Sequence, residues 1–219
     1  MHPKSWLVII VGVAGVFYLA WKSIQNLIQA NLLRSWKRSS LTGMHGRAIA
    51  LRGRVKVREV VHIAHIGDCL WFREHIEARS GFGRYRHWST QSDTKTSAEF
   101  SLVVGGEEVR VAGDPTEVHG KKSDSMRERP GLLDRFLGDR DERVTEEWLP
   151  VLEDLTVVGR LRRLTGAWEI EPDPAAGLLF SAEVPTRAAL KESIKGVLGL
   201  AGVALGIGLI VWYYSAYGT

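Results

Sequence analysis

The stretch Gly196–Ala216, GVLGLAGVALGIGLIVWYYSA, limits this chain more than any other. It carries no charge over about twenty residues, the length a helix needs to cross a hydrocarbon core of roughly 30 Å at 1.5 Å per residue. Lys191, Glu192 and Lys195 stop just short of it, and Trp212, Tyr213, Tyr214 and Tyr217 crowd its far end. Amphipathic rings favour the headgroup layer, so the pattern predicts a membrane span. A buried helix of a soluble core is rarely this long or this rich in small residues. Gly196, Gly199, Gly202, Gly206 and Gly208 predict close contact with another helix, because small residues let backbones approach.

A second apolar run, Trp6–Trp21, lies between Lys4 and Lys22 and is bracketed by tryptophans. A cleaved signal peptide would want small residues before a cleavage site, but Tyr18 precedes Leu19-Ala20. The helical pattern also continues past Lys22, so residues 1–22 read as an uncleaved first span with a short tail. Ile24, Leu27, Ile28, Leu32 and Trp36 then recur at helical spacing. This predicts an amphipathic juxtamembrane helix over 23–43, with Trp36, Lys37 and Arg38 at the headgroups. With Trp6, Trp21, Lys191, Lys195, Trp212, Tyr213 and Tyr214, they form the predicted membrane interface. Lys22, Arg34, Lys37, Arg38, Arg187, Lys191 and Lys195 all flank the spans on the side of the central region. The positive-inside rule therefore predicts a cytoplasmic central domain with both termini opposite.

Between the spans the period changes to two. Ala48–Val61 alternates Ile49, Leu51, Val55 and Val57 against Arg52, Arg54, Lys56 and Arg58, with Gly53 as a bend. Further strands are predicted at Leu70–Glu77, Ala98–Val104, Glu108–Ala112, Leu155–Leu164 and Ala167–Glu171, with an edge at Leu178–Phe180. Gly105-Gly106 marks a hairpin turn. Ser80–Thr96 reads as a loop or loose hairpin, and about 114–147 as an exposed loop with a short helix at Leu132–Leu137. The predicted fold is therefore membrane-anchored α+β: two transmembrane helices flank a small antiparallel β-barrel or sandwich over 44–190, and the second helical segment covers 191–219.

These residues resemble the GIDE, or "beside a membrane" (BAM), domain family of MULAN-type membrane ubiquitin ligases and their prokaryotic relatives. The resemblance lies in Gly53-Arg54-Val55, Cys69-Leu70-Trp71-Phe72-Arg73, Trp88, Phe100-Ser101-Leu102, Val109–Val111, Glu147–Leu161 and Pro185, in order between two spans. It implies a domain that senses or binds partners beside the membrane, in a stress or quality-control setting. In the mitochondrial member the domain lies in the intermembrane space, opposite to the placement that charge predicts here. A RING needs two zinc sites of four Cys or His ligands each. These 219 residues hold one cysteine, so the expectation is a RING-less, non-catalytic relative, with no cofactor.

Other chemistry is sparse. His62, His65, Cys69 and His75 have zinc-ligand identities, and a metal-dependent hydrolase using them is the alternative function. However, His62 and Cys69 are expected on either side of a turn at Gly67-Asp68. His75 lies about 20 Å along the strand from Cys69 at 3.3 Å per residue, so all four are not expected to converge. His87 and His119 are expected to be solvated, as are Glu107-Glu108 and the run Glu142, Glu146 and Glu147. Gly81-x-Gly83 lacks the third glycine and strand–helix setting of a dinucleotide loop. Trp71, Trp88, Trp148, Trp168, Phe72 and Phe100 read as core. Net charge is +4 and pI about 9.3. The row Arg52, Arg54, Lys56 and Arg58 could bind single-stranded nucleic acid, but beside a membrane, anionic lipid headgroups are the simpler partner. The remaining expected partners are the bilayer, an unidentified protein, and a second copy through the glycine-rich helix 196–216.

Overall fold

A computed structural model describes residues 3–36, 41, 43–80, 87–128 and 141–217. Two long helices lead into and out of a β domain: α1 (Pro3–Arg34) and α2 (Pro185–Tyr217). Between them run β1 (Ala48–Glu59), β2 (Val61–Ile63), β3 (Gly67–Ser80), β4 (His87–Ser97), β5 (Glu99–Val104) and β6 (Glu107–Val111). The chain continues through β7 (Glu117–His119), β8 (Lys121–Glu128), β9 (Asp141–Pro150), β10 (Asp154–Leu164), β11 (Ala167–Glu171) and β12 (Leu179–Ser181).

Five strands close into a barrel in the order β1-β5-β6-β11-β10 and back to β1. All neighbours are antiparallel except β6 and β11. This is a small Greek-key barrel of the kind seen in OB-folds. Gly53 marks where β1 passes from one partner to the other: Arg54 pairs with Asp154 of β10 and Val103 of β5. A Cβ at Gly53 would lie 2.7 Å from the Val103 carbonyl oxygen, so only glycine lets the strands approach this closely. Leu51, Phe100, Leu102, Val109, Leu155, Val157, Leu161, Trp168 and Ile170 fill the core. Phe180 of β12 joins them, edge-on to Phe100 with ring centroids 5.5 Å apart.

The predicted strands form, with Leu70–Glu77 falling in β3 of a second sheet, and β10 shows why the adjacent pair Val157-Val158 is apolar on both faces. Leu155, Val157 and Leu161 point into the barrel, whereas Val158 points outward beneath the helices. A strand covered on both faces has no polar side to alternate. Ala50 and Leu179 share that outer face with Leu33 of α1 and Ala188 and Ala189 of α2. Burying one side chain such as Leu33 contributes about 1.5–3 kcal/mol. The helices are thus packed onto the barrel wall as well as joined to it.

The hairpin reading of 80–96 is met by β4, which covers 87–97 and pairs with β3, and the expected loop at about 114–147 instead holds β8 and the first part of β9 among its described residues. With β2 and β3 they form a second, antiparallel sheet. Its strands β4, β8 and β9 are built mostly of Ser, Thr and charged residues and so lack the period-two signal, whereas β3 buries Cys69, Leu70, Trp71 and Phe72. Gly81-x-Gly83 and Leu132–Leu137 lie outside the described residues. Trp88, expected in the core, is exposed on β4, and Trp148 is half-buried. Glu146, expected in solvent, is buried on β9.

The helical pattern expected to continue past Lys22 does so: α1 runs unbroken from Pro3 to Arg34. It packs antiparallel to α2, with Gly12 near Ile210, Gly206 near Val16 and Gly196 near Leu27. A Cβ at Gly199 would collide with Ser23 Oγ, whereas Gly202 and Gly208 face open space. Three of the five α2 glycines therefore serve this intrachain contact. Among the described residues Pro185–Tyr213 is long and apolar enough to cross a membrane, with mean hydropathy 2.2 and only 6% of that apolar window buried. Pro185 starts α2 at the position where its missing N–H and fixed φ are harmless, while Val184 O accepts from Arg187 and Ala188 N–H.

Candidate functional site

The densest buried chemistry lies where β7 meets the two helices. Residues i and i+2 of a strand share a face, so Glu117 and His119 both point at α2. Residues i and i+3 of a helix are neighbours, so Glu192 and Lys195 both point back. Lys22 reaches in from α1. His119 Nε2 lies 2.7 Å from Glu192 Oε1 and 3.8 Å from Glu117 Oε1. Lys195 Nζ donates to Glu192 Oε1 at 2.9 Å and also to Glu117 Oε1. Lys22 Nζ stands 3.5 Å from Glu117 Oε2. Glu192 is fully buried, and the His119 side chain is 6% exposed.

Burial opposes the Glu117 carboxylate, but His119, Lys195 and Lys22 outweigh it and hold its pKa at about 2. Burial likewise opposes charge on His119, yet hydrogen bonding with Glu117 and Glu192 raises its pKa above the usual histidine value. Both groups are stabilised in their charged forms. The cluster is therefore an ion network that ties β7 to α2 and α1 in place of apolar packing. About two turns beyond Lys22 on α1, Gln29 adds a second tie to the barrel domain: its Nε2 donates to Ala176 O at 2.7 Å. Asp173 fixes that carbonyl by accepting from the Ala175 and Ala176 N–H groups at 2.9 Å each.

Glu117, His119 and Glu192 each offer one ligand atom within 4.8 Å of the others. Two carboxylates and an imidazole could hold a divalent cation. In the arrangement observed, the Lys195 ammonium already neutralises the same two carboxylate oxygens. His119 was expected in solvent and is instead the centre of the cluster. The detectable signals were Glu-x-His at strand spacing and a Glu-x-x-Lys pair at the foot of an apolar helix. Nothing local in the sequence joins residue 119 to residue 192.

The four sequence-based metal candidates are dispersed. His62 Nδ1 pairs with Asp68 Oδ1 at 2.8 Å, and His65 Nε2 with Glu146 Oε1 at 2.9 Å. Cys69 is buried with its thiol on Gly67 O, and burial followed by Asp68 pushes its pKa up. His75 lies 3.8 Å from Glu77 and 4.0 Å from Asp93. The connecting turn is Ala64–Ile66 rather than Gly67-Asp68, which open β3. The basic row of β1 is matched by acids: Arg52 with Asp154, Arg54 with Glu153, and Lys56 and Arg58 with Glu108. That pairing leaves little uncompensated charge for a nucleic-acid backbone.

Of the predicted interface residues, Trp21, Trp212 and Tyr213 are exposed on the helices. Lys195 enters the cluster, and Lys191 pairs with Glu183. Trp36, partly buried, packs against the helix–barrel contact around Leu33 and Ala50. The side chains of Trp6 and Tyr214, and all of Lys37 and Arg38, lie outside the described residues. Beside the cluster, a cavity of about 390 Å³ opens between the helices and the second sheet, with Lys22, Arg73, Lys95 and Lys195 in its walls. No protein-family model matches this chain, and neither the curated proteins nor the solved structures contain a match.

Proposed function

We propose that this is an integral membrane protein in which α1 and α2 both span the bilayer and hold a non-catalytic β-barrel domain beside it for partner binding, sensing or scaffolding. One observation carries the reading. The helix pair has a bare apolar half and a half locked onto the barrel. Phe17, Tyr18, Leu198, Leu205 and Leu209 are each between 65% and 72% exposed. Beyond Lys22 and Lys195, buried Leu33, Ala188 and Ala189 face the domain. Apolar surface of that extent in water would be strongly unfavourable at about 25 cal/mol per Å². In a bilayer it is the expected exterior. The likeness to the BAM domains of membrane ubiquitin ligases supports a binding or scaffolding role without ligase chemistry. Flanking basic residues support a cytoplasmic domain.

Alkaline carbonate extraction of membranes carrying the full chain tests the anchoring. Retention in the pellet supports two-span insertion, and full release to the supernatant refutes it.

A further inference from the structure

The geometry points to the 390 Å³ cavity as a binding site for the phosphate group of an anionic phospholipid headgroup. This inference rests on the membrane reading above. Lys22 is the first charge after the apolar part of α1, and Lys195 is the last before that of α2. Both line the cavity, so its mouth lies where hydrocarbon gives way to headgroups. Four cations line it against two carboxylates, Glu117 and Glu147.

Three of those cations already have protein partners. Lys22 and Lys195 meet Glu117, and Arg73 is held by Asp93 at 2.7 Å and by Glu147 at 3.6 Å. Lys95 has no ion pair among the described residues. Trp71, 3% exposed, forms an apolar part of the wall. A lipid phosphodiester supplies acceptor oxygens and negative charge together. Its glycerol backbone would lie toward the bilayer at the level of Lys22 and Lys195. The Lys95 ammonium supplies the counter-charge.

The full chain in neutral detergent is incubated with phosphatidylglycerol, with phosphatidylcholine or with soluble glycerol phosphate, and retention is measured by native mass spectrometry. The wild type is compared with Lys95→Gln and Lys22→Gln/Lys95→Gln. Far-UV circular dichroism and thermal unfolding verify folding of each variant. The expected result is preferential retention of phosphatidylglycerol, with apparent affinity falling about fivefold per lysine removed and phosphatidylcholine unaffected. Equal retention of the two lipids by the wild type overturns the site, as does an undiminished preference in a folded double variant. Capture of glycerol phosphate without lipid preference would assign the cavity to a soluble phosphate and overturn the lipid assignment. Carbonate extraction separates the two readings: a chain that stays in the membrane but shows no lipid preference loses only this inference.

Discussion

Replacing Lys195 with methionine removes the ammonium that bonds both Glu117 and Glu192 while keeping most of the apolar stem. Glu192, fully buried, is left with His119 at 2.7 Å as its remaining partner among the described residues. Stranding one half of a buried ion pair typically costs about 3–5 kcal/mol. Two features lower the figure here: Lys195 is 42% exposed, so part of its charge is solvated, and His119 remains in place. The expected loss is about 2–3 kcal/mol, a large share of the roughly 5–15 kcal/mol that stabilises an ordinary domain. Lys191→Met is the control, because its pair with Glu183 is more exposed and should be worth less than about 1 kcal/mol. The assay is pulse proteolysis of the full chain in detergent across a urea series, reading cleavage within the β domain. Adding Glu192→Leu to Lys195→Met should recover much of the loss, since the stranded charge is then gone. A Lys195→Met protein no less stable than Lys191→Met would refute the view that this network holds β7 to the helices.

Stability should also depend on pH in two windows. Glu117 is depressed from 4.5 to about 2, so its contribution, about 3 kcal/mol at roughly 1.4 kcal/mol per pH unit, is present above pH 4.5 and lost as pH falls toward 2. Glu117→Gln should flatten that acid limb in a urea titration. His119 is raised, so its contribution is full below pH 6.5 and lost as pH rises through its folded value; His119→Gln should remove this alkaline-side loss. Gly199→Val should destabilise the helix pair by about 1–3 kcal/mol through collision with Ser23, whereas Gly202→Val, facing open space, should cost far less when thermal unfolding is compared in detergent. Cys69, buried with a raised pKa, should resist N-ethylmaleimide in the folded protein and react on addition of denaturant; rapid native labelling would contradict its placement.

How much could be read from the sequence follows from which groups carry a periodic signal. The uncharged run at 196–216 and the alternation of β1 announce themselves, as does the Gly105-Gly106 turn between β5 and β6, where both glycines adopt positive φ. The second sheet does so only in its central strand β3, expected at Leu70–Glu77. In β4, HWSTQSDTKTS, neither face is covered, so no apolar alternation exists to detect. Its placement comes instead from pairing along β3, from Trp71↔Ser97 to Ser80↔His87, which is a tertiary property. The charge cluster was hidden for the same reason. Glu117 and His119 look like ordinary solvated residues until α2, more than seventy positions later, lays Glu192 and Lys195 across them. Conversely, the H-x2-H-x3-C-x5-H spacing suggested ligands that the strands then turn toward separate acids, Asp68 for His62 and Glu146 for His65.

The central claim is that both helices cross the membrane with the β domain on one side. Single cysteines at Ser5, Ser123 and Ser215, each in a Cys69→Ala background, test it with a membrane-impermeant maleimide on sealed vesicles of known orientation. The account predicts that Ser5→Cys and Ser215→Cys label from one side and Ser123→Cys from the other, with Ser123→Cys on the cytoplasmic side. If all three label from the same side, α1 and α2 form a hairpin that does not span, and the account is wrong.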